Sequence, residues 1–251
     1  MAVIEVQGLG KRYGRQVALD GVSFRVERGE IFGILGPNGA GKTTAVEIIA
    51  GLRRADGGSV RVLGLDPQSE RGRRELRQRI GVQLQEAALP GQLKVWEALD
   101  LYASFYDNPA DWRELLNRWG LADKRNAKFA KLSGGQKQRL LIALALVGNP
   151  EVAVLDELTS GLDPYARRAT WELIRQIRGA GVTVLLVSHF MDEVEELCDR
   201  VAVLDRGRVV AIGSPAGLIA EAVAVIDRRP RVRPLGFDDA YLALTGHPFD
   251  L

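Results

Sequence analysis

Soft metal ligands are scarce: the 251 residues hold one cysteine, Cys198, and two histidines, His189 and His247. An internal disulfide, a Cys-rich zinc centre and a CxxC redox pair are therefore all excluded, and a reducing compartment is the expected setting. Strong charge of either sign is missing too. Thirty-four basic residues face thirty-two acidic ones, for a net charge of +2, so nothing demands a polyanionic partner and nucleic acid is not expected. The arginine-rich run "ERGRRELRQR" (70–79) reads as a solvated helix face. No uninterrupted apolar stretch approaches the roughly 18 residues of a membrane span, and the opening "MAVIEVQGLGKRYG" has a charge at Glu5 and no apolar h-region. Any membrane contact is expected to pass through a partner.

What the chain does have is a 46% hydrophobic content, enough to bury a full core. "VIEVQGL…VALDGVSFRV" alternates apolar and polar residues between glycines and reads as short antiparallel strands. "IFGILG", "VAVLD" (152–156) and "VTVLLVSH" (182–189) run apolar without alternation, as strands buried on both faces of a parallel sheet do. Helices intervene. One is expected over 43–52, and another over 164–180, where Asp163 is placed to cap and Pro164 occupies the first helical position. Alternating strands and helices argue an α/β fold. Between 86 and 147 only helical candidates occur, so a helical sub-domain is expected there, inserted in a domain covering 1–226. A tail over 227–251 follows, with Arg228, Arg229, Arg231 and Arg233 near its start. Cys198 is expected to be a small core residue.

The chemistry begins at "ILGPNGAGKTT". Gly36, Gly41, Lys42 and Thr43 form a GxxxxGK[ST] phosphate loop in its required place between a strand and a helix. Its glycines let backbone amides wrap a triphosphate, Lys42 reaches the terminal phosphates, and the Thr43 hydroxyl is placed to ligate Mg²⁺. In "VAVLDE", Asp156 at a strand end is the metal-side carboxylate. Glu157 is the candidate general base for the attacking water. A GTPase would need Asn-Lys-x-Asp, and no asparagine here precedes a lysine, so adenine is the expected base. The stretch "KLSGGQKQRL" offers a second anion-friendly helix start, with Ser133 as its cap and Gly134 and Gly135 allowing close backbone approach.

With "GPNGAGKT" at 36–43, "LSGGQ" at 132–136, "VAVLDE" at 152–157 and a strand-terminal His189, the chain resembles the ATP-binding subunit of ABC transporters over about residues 3–220. The resemblance implies a P-loop NTPase with a mainly parallel core sheet, an N-terminal antiparallel β sub-domain and an inserted helical sub-domain. It also implies a head-to-tail dimer enclosing two ATP molecules with Mg²⁺. Each nucleotide is then held by one copy's loop, Gly36, Pro37, Asn38, Gly39, Ala40, Gly41, Lys42, Thr43 and Thr44. The other copy's signature, Ser133, Gly134, Gly135 and Gln136, covers it.

Further positions match residue by residue. Tyr13 stands where the family stacks an aromatic on adenine. Gln85 resembles the glutamine that joins the metal and the attacking water to the membrane partner, although Gln83 shares its strand face. Asp163 looks like the inter-subunit loop aspartate, and His189 like the histidine that contacts the γ-phosphate. One departure is Leu158 in the place of the usual proline, which loosens a loop constraint without removing a chemical group.

The same resemblance implies a separate membrane permease as partner and a position on the inner face of the cell membrane. The "GLDP" loop, the stretch from Ser188 to Pro215 and the closing "DDAYLALTG" are similar to bacterial multidrug and antibiotic exporters of the ABC-2 type. An importer subunit and a soluble ABC ATPase of translation or DNA maintenance are the alternatives. The second of these generally carries two ATPase domains or a long coiled-coil insertion, and neither is apparent here.

Overall fold

A computed structural model describes residues 1–84, 88–226 and 236–246. The chain divides into two compact units, Met1–Arg73 with Leu185–Leu251, and Arg74–Val184.

In the first unit, strands β1 (Ala2–Tyr13) and β2 (Gln16–Glu27) form a hairpin, and β4 (Gly57–Val62) pairs antiparallel with the other side of β1, giving the order β2-β1-β4. The expected alternation sets the register. Ile4 faces Val26 and Val62, and Val6 faces Phe24 and Val60, so one face of the sheet carries buried side chains from all three strands.

The unit's other strands are β3 (Ile31–Leu35), which is buried throughout, β8 (Arg200–Asp205) and β9 (Arg208–Gly213). β3 runs parallel to β8, and β9 returns antiparallel. β7 (Thr183–Ser188), whose first residues lie across the division, flanks β3 on its other side. The rings of Phe24 and Phe32 stack with centroids 5.3 Å apart, fastening the small sheet to β3. Helix α1 (Lys42–Ile49) follows β3, and α7 (Met191–Leu197) follows β7.

Two helices near the C-terminus complete this unit. α8 (Pro215–Ile226) and α9 (Phe237–Thr245) pack on each other, and α9 also meets α7 and β9. Phe237, Ala240 and Tyr241 are buried, so the described part of the expected tail is an element of the core. The arginines Arg228, Arg229, Arg231 and Arg233, and His247, lie outside the described residues.

In the second unit, β5 (Ile80–Gln83) runs parallel to β6 (Val152–Asp156). Helix α2 (Glu70–Leu76) leads into this unit from the arginine-rich run. Between β5 and β6, α3 (Val95–Ala103), α4 (Trp112–Arg118) and α5 (Gly134–Leu146) carry the chain, with no strand among the described residues there. Val95, Leu99, Trp112, Leu115, Trp119 and Leu121 form their shared apolar core. The Trp112 indole N–H donates to Asp100 at 3.0 Å, which joins α4 to α3. Helix α6 (Pro164–Gly179) starts where its proline and cap predicted and buries Trp171, Ile174 and Ile177 along one stripe. No helix among the described residues is long and apolar enough to cross a membrane.

Candidate functional site

The phosphate loop joins the end of β3 to the start of α1, all within the first unit. Gly36 packs so closely that a Cβ there would lie 2.4 Å from the Leu204 carbonyl oxygen. Gly41 has φ 101° and caps α1 without a side-chain bond. At both positions only glycine fits, the first for want of space and the second for its backbone. Asn38 and Gly39 form the exposed tip of the loop, while Ala40 is buried and its N–H donates to the Pro37 carbonyl at 3.1 Å.

Lys42 opens α1 and its side chain turns back into the loop, where Nζ donates to the carbonyls of Gly36 at 2.8 Å and Pro37 at 3.1 Å. Lys42 as a whole is only 5% exposed, so its side chain lies under the loop against these two carbonyls. The first N–H of α1 to bond back is that of Ala45, to the Gly41 carbonyl at 2.9 Å. The amides of Lys42, Thr43 and Thr44 therefore precede the helical ladder, at the positive end of the helix dipole.

Tyr13 closes β1 and is 40% exposed. The guanidinium carbon of Arg53 lies 5.3 Å from the ring centroid, and Lys11 Nζ lies 5.7 Å from it. Lys11 bonds Asp56 at 2.7 Å. That hydrogen bond, with one from the Arg12 amide, holds the Asp56 carboxyl below its ordinary range. No motif marks Arg53 or Lys11, and neither stood out in the sequence. His189 follows the last residue of β7, half-buried, with the Phe190 ring tilted against it at 4.1 Å.

The second unit carries the acidic pair and the signature. Asp156 ends β6 and is wholly buried. Glu157 has φ 49°, a left-handed backbone rarely taken by a residue with a long side chain. Leu158 behind it is 0% exposed, so apolar burial anchors the loop where the usual proline ring is missing. Ser133 caps α5 by accepting from the Gln136 amide, and the Gln136 side chain returns the bond to the Ser133 amide, a capping box. Asp163 caps α6 by accepting from the amides of Tyr165 at 3.0 Å and Ala166 at 2.9 Å.

These two helix starts converge. Ser133, Gly134, Gly135, Gly161, Leu162 and Asp163 line one cavity of about 550 Å³, with Arg139 and the 85% exposed Tyr165 at its walls. The sequence placed Ser133 and Asp163 thirty residues apart on separate motifs. Their shared cavity needed the fold, because α5 and α6 meet only through tertiary packing. Gln85 lies outside the described residues. Gln83 ends β5, buried, with its side-chain amide donating to the Leu84 carbonyl at 2.8 Å.

A divalent cation would find no dedicated cage, since no cluster of three or more His, Cys, Asp or Glu occurs among the described residues. Mg²⁺ does not need one. It keeps several waters and is usually bound through one or two protein oxygens together with substrate phosphates. In the first unit the exposed Thr43, and in the second the buried Asp156, each carry a hard oxygen of the kind it takes.

A family profile described as ABC transporter matches residues 19–160. The Nod factor export ATP-binding protein I of Burkholderia thailandensis is 43% identical over 228 residues, covering 89% of this chain and 74% of its own length. Among solved structures, one described as the ATP binding subunit of an ABC transporter is 29% identical, with a TM-score of 0.82, over 97% of this chain and 99% of that one. The cassette MJ0796, in a dimeric post-hydrolysis state bound to ADP and Pi, is 27% identical with a TM-score of 0.75, over 84% of this chain and 98% of its own.

Proposed function

The chain belongs to the ABC transporter family as an ATP-binding ATPase cassette, and from that premise we propose that it powers a separate membrane permease in export. The observation that carries the reading is the phosphate loop. Its glycines, its buried Lys42 and its helix-start amides form a preorganised triphosphate cradle.

The roles follow from chemistry. The loop from Gly36 to Thr44 binds the phosphates, and Lys42 offsets their charge. Thr43 and Asp156, together with Gln85, would hold Mg²⁺, and the ion would supply positive charge to offset that developing on the phosphate oxygens. Glu157 accepts the proton of the attacking water, and His189 holds the γ-phosphate against it. Tyr13 stacks on the adenine. Ser133, Gly134, Gly135 and Gln136 present a second helix start, with Asp163 beside it. A copy's own loop already encloses its triphosphate, so that second start serves a nucleotide bound by another copy. Two copies acting head to tail follow from this.

Relatives named for Nod factor export support the outward direction. Drugs or other hydrophobic compounds are the proposed substrate class, and the proposed working position is the inner face of the cell membrane. The domain is expected to span 1–226, with its helical part at about 86–147 meeting the permease. The test is to identify the membrane protein that co-purifies with the tagged chain and reconstitute the pair in vesicles. ATP-dependent movement of a hydrophobic dye out of the compartment that holds the cassette supports the proposal. Full, substrate-independent ATPase activity bound to ribosomes or DNA, with no membrane protein recovered, overturns it.

A further inference from the structure

The expected base-stacking residue has unexpected neighbours. Tyr13 ends a strand, where an exposed ring would ordinarily turn freely about two side-chain torsions. Here two cations crowd it. Arg53 approaches to 5.3 Å from the ring centroid and Lys11 to 5.7 Å, both within cation–π range.

Neither cation is itself loose. Arg53 lies just past α1, and its backbone N–H donates to the Glu47 carbonyl at 3.1 Å. Its side-chain Nε donates to the Glu47 carboxylate, so Arg53 is tied twice to one residue of the helix that carries Lys42 and Thr43. Lys11 is held by Asp56 at 2.7 Å, and Asp56 is fixed to β1 through the Arg12 amide at 2.7 Å and the Gly10 carbonyl at 2.9 Å. Glu47 and Arg53 are partly shielded, with side chains 22% and 38% exposed, which lessens screening of the pair relative to an open surface bridge.

We propose that Arg53 is a positioning residue for nucleotide binding, linking the phosphate-loop helix through Glu47 to the Tyr13 ring and presetting that ring for the base. The cation limits the ring's tilt and draws π density toward itself, which favours stacking on an electron-rich purine. A ring fixed before the ligand arrives loses less freedom on binding, so the contact adds affinity through preorganisation. Because the ring's fixed point is α1, the distance between phosphate cradle and base platform is set by one short chain of contacts. The inference rests on the reading of Tyr13 as the base-stacking residue.

Binding of ATP and of inorganic tripolyphosphate to the full chain, measured by titration calorimetry, tests both layers. Arg53→Ala is expected to weaken ATP by about 2- to 5-fold, the size of a partly exposed cation–π contact, and to leave tripolyphosphate unchanged. Arg53→Lys, which keeps the cation, retains most of the affinity, and Glu47→Gln moves in the same direction as Arg53→Ala. In a Tyr13→Ala background, Arg53→Ala adds no further loss. Equal loss for tripolyphosphate, additivity with Tyr13→Ala, or no loss at all in Arg53→Ala overturns the role of Arg53 while leaving Tyr13 in place. Unchanged ATP affinity in Tyr13→Ala overturns the base-stacking reading itself, and the inference with it.

Discussion

Ser133 and Gln136 hold each other across the first turn of α5: the Gln136 N–H donates to Ser133 Oγ at 3.3 Å, and the Ser133 N–H donates to Gln136 Oε1 at 3.0 Å. Oγ accepts in that exchange, so its own O–H is left to donate to an oxygen outside the helix. Gly134 and Gly135 add no side chain to obstruct it. Ser133→Ala is expected to cost about 1 kcal/mol as a lost cap. Ser133→Arg should do more to function than to folding, sparing ATP binding by the single chain and abolishing cooperative hydrolysis. Nucleotide titration beside steady-state turnover separates the two effects; normal cooperativity in the Arg variant would reduce the serine to a cap.

Lys42 differs from a surface lysine in being buried beneath the loop, bonded to the carbonyls of Gly36 and Pro37. A charge so held needs little rearrangement to meet an incoming phosphate. Lys42→Ala is expected to weaken ATP by at least about 10-fold, through loss of a charge-assisted contact of roughly 1.5–3 kcal/mol. Calorimetric titration reads the change directly. A Kd within 2-fold of the wild type, an order-of-magnitude threshold set against that contact, would remove Lys42 from the phosphate site.

Glu157→Gln keeps the shape of the side chain and removes its basicity. With the phosphate contacts intact, ATP should still bind while turnover falls by at least 100-fold, the lower end of general-base contributions. The variant should then persist as an ATP-bound dimer on gel filtration. A strictly monomeric profile together with wild-type turnover would refute the assignment.

Much of this architecture was legible in the sequence because local chemistry dictated it. The unbroken apolar runs at 31–35, 152–156 and 183–188 became strands. Pro164 behind Asp163 fixed the start of α6 to the residue, since proline and cap each have one favourable place. Ser133 caps α5, as expected of a serine just before that helix start. Other features needed distance information. The residues around Tyr13 come from β1 and from beyond α1, forty residues away, and basic side chains give no periodic signal. The burial of α9 was not legible, because the arginines and prolines before it suggest a tail whatever packing follows. The left-handed backbone of Glu157 was invisible because no glycine or asparagine announced it.

Cys198 supplies a pH-dependent test. It is buried against β3, where a Cβ on Gly33 would come within 2.8 Å of its Sγ. Burial first, then the negative charges of Glu193, Asp199 and Glu30, pushes the thiol well above its ordinary range. The folded chain therefore keeps this proton at pH values where the unfolded chain releases it. Stability gains nothing from the group below the ordinary thiol range and declines as pH rises through that range. The native thiol should react with an aromatic disulfide reagent at pH 8 at least about 100-fold more slowly than the unfolded one, because only thiolate attacks and access is blocked. Comparable rates with and without denaturant would show that the site is open.

The C-terminal helix can be tested as a component of the core. Phe237 and Tyr241 lie one helical turn apart on α9 and are 1% and 0% exposed, facing α8, α7 and β9. A loose appendage would lose little from truncating such a residue. An integral element would lose both the transfer energy of the ring and the contacts around the cavity left behind. Phe237→Ala is therefore expected to lower stability by about 3–5 kcal/mol, seen as a lower urea midpoint with little change in slope. Leu242→Ala, at a 46% exposed position on the same helix, controls for helix propensity and should cost under about 1 kcal/mol. Equal, small effects of the two substitutions would mean that α9 is not seated in solution; a large difference means that the first unit needs residues beyond 236 to close its core.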